Sequence, residues 1–244
     1  DFFKVKQIDS EKKLDRLKID KLLKTIYSNN TTEEINFISN QLLQILDDFS
    51  EKSAYEEIRD KERWNESHSV LITYADSIYK NGEATLITLR KLLSKHFGSL
   101  SKVVHILPFL KSTSDGGFAV SSYDSLEEKF GGWDDLKSIS KNHDLMADLV
   151  LNHVSSSHPW VQQFIKSQEP GISNVFSPKQ NLDWSNVVRP RSSSLFSQIN
   201  TEDGPKQVWT TFGPDQIDLN WHNPKMTLEF LNLIITYLSN GIKW

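Results

Sequence analysis

Residues 145–154, LMADLVLNHV, form an apolar run that ends in Asn-His and carries an aspartate, Asp148, in its middle. Read as one strand, the run puts Asp148, Val150 and Asn152 on a common face, because side chains alternate along a strand. A carboxylate inside a hydrophobic strand needs partners or a chemical role, since an unpaired buried charge costs several kcal/mol. A core carboxylate bonded to nearby backbone accounts for Asp148 equally well on this stretch alone.

Two more runs of the same kind precede it. Ser69–Asp76, SVLITYAD, is compact and rich in β-branched residues, and Val103–Leu107, VVHIL, is closed by Pro108. Leu86, Leu89, Leu92, Leu93 and Phe97 make a helical stripe between them that Gly98 ends. A loop rich in Gly and Ser then runs to Gly132, and a short helix is expected from Trp133 to about Lys141. Apolar strands alternating with helices predict a parallel sheet covered by helices, which leaves a doubly wound sheet and an eight-stranded barrel as candidates.

Outward from these units the pattern changes on both sides. Upstream, helices are predicted: Leu14, Leu17, Leu22, Leu23, Ile26 and Tyr27 recur at helical spacing. Thr31 and Glu34 have capping-box spacing before a stripe of Ile35, Ile38, Leu42, Ile45, Leu46 and Phe49, and a weaker helix covers about Ala54 to Trp64. Downstream, Ser155 to Asn220 shows no clear period and reads as a long functional loop or small subdomain. Asn223 and Pro224 then cap a helix stopped by Asn240 and Gly241, and Ile242–Trp244 reads as the start of a fourth strand. The expected parts are therefore a helical extension (1–68), three strand-helix units (69–154), an inserted loop subdomain (155–222), and a third helix with the start of a fourth strand (223–244).

Composition narrows the function. The 244 residues are 37% hydrophobic and 25% charged with net charge −4, so nucleic acid is not an expected partner. No apolar run is long enough to span a membrane. The first residues, DFFKVKQIDSEKK, lack the pattern of a secretory signal, and cytoplasm is the expected location. With no cysteine there is no disulfide, thiolate nucleophile or cysteine-bound zinc.

Candidate site residues follow the ends of the strands, where sites assemble in parallel α/β folds. Asp115, before Gly116 and Gly117, and Phe118 place a carboxylate and an aromatic face after the second strand, although Asp-Gly-Gly also suits a solvated turn. Asn152 and His153 hold the corresponding place after the third. In the long loop, Arg189-Pro190-Arg191 sets two cations about a stiff proline, suited to carboxylate or phosphate oxygens or to an ordinary surface ion pair.

DLVLNHV at 148–154 and QIDLN at 216–220 resemble signatures of glycoside hydrolase family 13, the α-amylase clan. HILPFLKSTSDGGFAVSSYDSLEEKFGGWDDL, DLMADLVLNHVSSSHPW, RPR and VWTTFGPDQIDLNWHNP resemble its sucrose phosphorylase branch, and ERWNESHSVLITYAD looks most like the members acting on glucosylglycerate or related osmolytes. The resemblance implies the amino-terminal part of a (β/α)8 TIM barrel, with the loop after the third strand as a domain B type insertion. It implies that Asp115 and His153 bind glucosyl hydroxyls, that Phe118 stacks on the ring, and that Arg191 contacts phosphate or the acceptor. Asp148, Asn152, Gln216 and Asn220 would be supporting residues. Trp160 and Trp209 suit the acceptor side less well than core packing. The implied reaction is retaining glucosyl transfer to inorganic phosphate as co-substrate, giving α-glucose 1-phosphate, with no cofactor; calcium is not expected of this branch. The nucleophile and acid/base are expected beyond Trp244, in a missing carboxyl-terminal half, so that the chain alone is expected to be inactive. Asp124, Asp183 and Asp218 are not assigned those roles. A hydrolase or transglycosylase of the clan, and a non-catalytic sugar-binding protein, are the alternatives.

Overall fold

The computed structural model describes residues 16–52, 68–98, 100–179, 182–188 and 191–244. The helix expected at Ala54–Trp64, together with Leu14, Arg189 and Pro190, lies outside the described residues. Two compact units are present, the first drawing its described residues from 16–52 and 221–235, the second from 68–220 and 236–244.

In the first unit, helix α1 (residues 16–26) is followed by α2 (Thr32–Lys52). The capping box forms as its spacing predicts. The Glu34 amide donates to Thr31 Oγ1 at 3.2 Å and the Thr31 amide to Glu34 Oε2 at 2.9 Å. The core holds Leu23, Tyr27, Ile35, Ile38 and Leu42, with Leu228 and Leu231 packed against it. The α1 stripe is narrower than its sequence suggests, since Leu17, Leu22 and Ile26 are exposed.

In the second unit, β1 (Val70–Thr73), β2 (Val103–Ile106) and β3 (Asp144–Ala147) form a parallel sheet in the order β1-β2-β3. Val70 pairs with Val103, and Val103 in turn with Asp144. The expected crossover helices are α3 (Thr85–Leu92), continued by a π turn to Phe97, and α4 (Trp133–Ile139). Leu86, Leu89, Leu93, Leu136 and Ile139 point into the core and are buried. Helix α7 (Lys225–Ser239) has Asn223 Oδ1 accepting from the Lys225 amide at 3.1 Å, and Gly241 follows it at φ 84°. Residues 242–244 then run beside β3 as a parallel addition. The Lys243 and Trp244 amides donate to Leu145 O, and the Ala147 amide to Trp244 O. Among its described residues the second unit thus holds three parallel strands, with residues 242–244 bridged in parallel to β3.

The opening run is not one strand. It leaves the sheet after Ala147, and His153 begins a separate strand, β4 (His153–Ser155), which pairs antiparallel with β7 (Gln216–Asp218). Asp148, Val150 and Asn152 therefore do not share a strand face. The reason lies in partners distant in sequence: the Asp148 carboxylate turns to His105 Nε2 at 2.9 Å, its carbonyl accepts from Tyr237 Oη at 3.4 Å, and Leu151 is exposed.

The stretch from Ser155 to Asn220 is also more regular than its sequence suggests. It contains α5 (Pro159–Ile165), α6 (Gly171–Asn174) and a hairpin of β5 (Phe196–Thr201) and β6 (Gly204–Trp209). Trp209 packs at 5.0 to 5.6 Å from Trp184, Phe196 and Phe176, a half-buried aromatic cluster within this region. His158 caps α5, its Nδ1 accepting from the Trp160 amide at 3.2 Å, between the rings of Tyr123 and Trp160. Burial holds His158 down to about 4 from an ordinary value of 6.5. A lowered histidine contributes stability that is complete above pH 6.5 and is lost as pH falls toward 4. The expected loss is roughly 3 kcal/mol over that window. Denaturant midpoints of the protein and of His158→Asn, taken from pH 7 to 4, should converge; parallel pH profiles would contradict the assignment.

Among the described residues no helix is long and apolar enough to cross a membrane.

Candidate active site

The loop that leaves β2 is built as a ladder. Leu110 bridges Leu126, Ser112 bridges Val120, and the Thr113 amide donates to Ala119 O at 3.0 Å. Its tip reverses at Asp115, Gly116 and Gly117, with φ of 54°, 61° and 108°. Asp is among the few side chains that tolerate such a φ. At Gly117 a Cβ would lie 2.5 Å from Pro108 O, so glycine is required there by space as well.

That turn delivers Asp115 to residues carried by β4 and β7. Gln216 Nε2 donates to Asp115 Oδ2 at 2.8 Å and lies 3.1 Å from His153 Nε2, which is also 3.1 Å from Phe118 O. Gln216 and His153 are buried, while Asp115 is exposed, so the cluster has a wet face and a dry floor. Burial pushes His153 below its ordinary value of 6.5, against the pull of Asp218, Phe118 O and Asp115, and the imidazole is neutral at pH 7.

Asp218 stands opposite His153 in the β4-β7 ladder. It accepts from the Thr211 amide at 3.1 Å and from Thr211 Oγ1 at 2.5 Å. Burial raises its carboxyl, and bonds from Thr211 and Asn152 oppose the rise.

Phe212, which sequence reasoning did not single out, has its ring 5.0 Å from that of His153. The Arg191 guanidinium lies over the Phe212 ring, 5.6 Å from its centroid, so the loop cation is joined to the cluster through one ring.

The structure thus brings together Asp115, Phe118, His153 and Gln216, with Arg191 linked through Phe212 and Asn152 through Asp218. Asp148 is apart from them, bonded to His105. Asn220 is turned to α6, donating to Ser173 O at 2.9 Å. A second carboxylate, Asp215, had no mark in the sequence. It accepts from Thr113 Oγ1 and Ser114 Oγ at 2.6 Å each, from the Ser156 amide at 3.2 Å, and from Ser156 Oγ. Among the described residues no group of three or more His, Asp and Glu is placed to hold a metal ion.

A buried neutral imidazole on β4, an exposed carboxylate and a half-buried phenylalanine on the loop that leaves β2 suit a polyhydroxylated ring, with polar groups for hydroxyls and an apolar face for carbons. Residues 96–243 match the α-amylase catalytic-domain family. The chain is 41% identical over 178 residues to glucosylglycerate phosphorylase of Allomeiothermus silvanus, covering 73% of this chain and 32% of that protein. It is 32% identical over 185 residues to sucrose phosphorylase of Streptococcus mutans, covering 71% and 37% respectively. The solved structure of sucrose 6F-phosphate phosphorylase from Thermoanaerobacter thermosaccharolyticum superposes with a TM-score of 0.66 at 31% identity, over 74% of this chain and 39% of that one. The chain spans about a third of the length of the curated relatives it matches.

Proposed function

Because this chain belongs to the α-amylase catalytic-domain family, we propose that it supplies part of the glucosyl-binding subsite of an α-glucoside phosphorylase. The observation that carries this reading is the joining of Asp115 and His153 through Gln216 Nε2, beside Phe118, on loops that follow β2 and β3. Asp115 accepts from glucosyl hydroxyls, His153 holds another, and the Phe118 ring covers the apolar face of the sugar. Arg191, seated over Phe212, offers its guanidinium to phosphate.

The reaction proposed is a double displacement. A carboxylate attacks the anomeric carbon while a second carboxyl group, about 5 to 5.5 Å from it, protonates the departing oxygen; a phosphate oxygen then takes the glucosyl group with retention. Those two carboxylates are proposed to lie in the part of the relatives' length that this chain does not span. Glucosylglycerate-like glucosides and sucrose are the proposed donors, on the strength of the relatives' names. We place the reaction in the cytoplasm, where the sugar phosphate product is retained. The direct test is whether the complete protein consumes these glucosides only when phosphate is supplied.

Arg191→Ala separates the phosphate from the glucosyl group. Phosphorolysis should fall about tenfold or more, the worth of a lost charge-assisted contact, while slow hydrolysis of the same glucoside changes little. Equal loss of both rates would assign Arg191 a structural role.

A further inference from the structure

The carboxylate of Asp215 touches two segments besides its own, and each of the three carries one member of the cluster. Thr113 and Ser114, whose hydroxyls both donate to it at 2.6 Å, immediately precede Asp115. Ser155 Oγ at 3.4 Å, with the Ser156 amide at 3.2 Å and Ser156 Oγ, follows His153 by two and three positions. Asp215 itself adjoins Gln216, whose amide bridges the other two. The segments are tied to each other as well, through Thr113 Oγ1 and Ser155 Oγ at 2.6 Å. Burial pushes the Asp215 carboxyl up, but donors from Ser114, Ser156 and Thr113 outweigh it and hold the group below its ordinary range.

We infer that Asp215 is a positioning residue, whose carboxylate fixes the separation of Asp115 from the His153-Gln216 pair and with it the width of the glucosyl-binding subsite. Four hydroxyls and an amide pointing at one side chain are more than the turn at 211–216 needs to close. The Gln216 amide already bonds Gly213 O at 2.9 Å, and Asp218 already holds Thr211. The β4-β7 ladder already joins the segments of His153 and Gln216; what Asp215 adds is the tie of both to Thr113 and Ser114, which carry Asp115. Binding groups misplaced by a fraction of an ångström lose much of their effect on the transition state, and about 1 Å can cost a factor of 100. The inference rests on the functional reading above.

The test is made in the complete protein with Asp215→Asn, which keeps shape and removes the charge. kcat/KM for the glucoside should fall about 10- to 100-fold at temperatures well below unfolding, with KM for phosphate nearly unchanged. In a cycle with His153→Ala, the double variant should be about as slow as His153→Ala alone, because both changes act on the same grip. Should Asp215→Asn fail to fold, Ser114→Ala, which removes one donor, is measured by the same cycle and should show a smaller but equally non-additive loss. Glucoside kcat/KM retained within about threefold, or losses that multiply in the double variant, would overturn the inference. A protein that turns over no glucoside before any substitution would overturn the functional reading and this inference together; normal turnover with an unaffected Asp215→Asn overturns the inference alone.

Discussion

Replacing His153 with alanine should lower glucosyl transfer by the complete enzyme by two or more orders of magnitude. The imidazole is 5% exposed and fixed by Phe118 O, Gln216 and the Phe212 ring, so no other side chain can move into its place. Burial outweighs the carboxylates near it and keeps it neutral at pH 7, so the cluster carries no imidazolium charge. A group held rigidly in a partly dry site gives its full interaction to the transition state, and losing such a group costs about 10²- to 10³-fold. kcat should fall along with kcat/KM; a rise in KM alone would mean uniform binding, and unchanged turnover would remove His153 from the site.

The second large effect is on stability. Gly117→Ala should cost roughly 3 kcal/mol, since the new methyl would sit 2.5 Å from Pro108 O and 2.8 Å from Pro108 Cβ at a φ of 108°. Neither contact can yield cheaply, because Pro108 is rigid and lies just past Leu107, whose amide is bonded to Thr73 O. Gly116→Ala provides the comparison. Its φ of 61° lies in the left-handed region that alanine enters at about 1 kcal/mol, and the Tyr74 ring is at an ordinary 3.5 Å. Denaturant midpoints should rank the wild type, then Gly116→Ala, then Gly117→Ala. Equal midpoints for the two variants would show that packing on Pro108 does not hold the loop.

The parallel sheet was legible because each strand-helix unit carries two periods and a stop. Val103–Ile106 is apolar except for the half-buried His105, and Gly98 and Gly241 fall where their helices end. The error over 145–154 has the opposite cause. Apolar composition continued past Ala147, but Asp148 turns to His105 and Tyr237, partners distant in sequence that composition does not mark. The insertion was read as irregular because its elements are short; only Asp203-Gly204, at the turn of the β5-β6 hairpin, gave a signal that could have found one of them.

The site divides along the same line. Asp115 and His153 were visible because they follow strand ends, and Gly116-Gly117 announced a tight turn. Phe212 and Asp215 were not, since what marks them is reached only by folding. The hydroxyls that meet Asp215 come from residues 59 to 102 positions away, and no local spacing encodes such a meeting. Asn220 shows the converse: it lies in the same short signature as Gln216, yet its side chain is turned to α6.

The measurement closest to the central claim is nuclear magnetic resonance of the sugar product when the complete protein is given glucosylglycerate or sucrose with inorganic phosphate. The account predicts α-glucose 1-phosphate as the first product, formed in proportion to glucoside consumed and only with phosphate present. Free glucose formed at the same rate without phosphate would contradict it and assign the subsite to a hydrolase, and β-glucose 1-phosphate would rule out the double displacement.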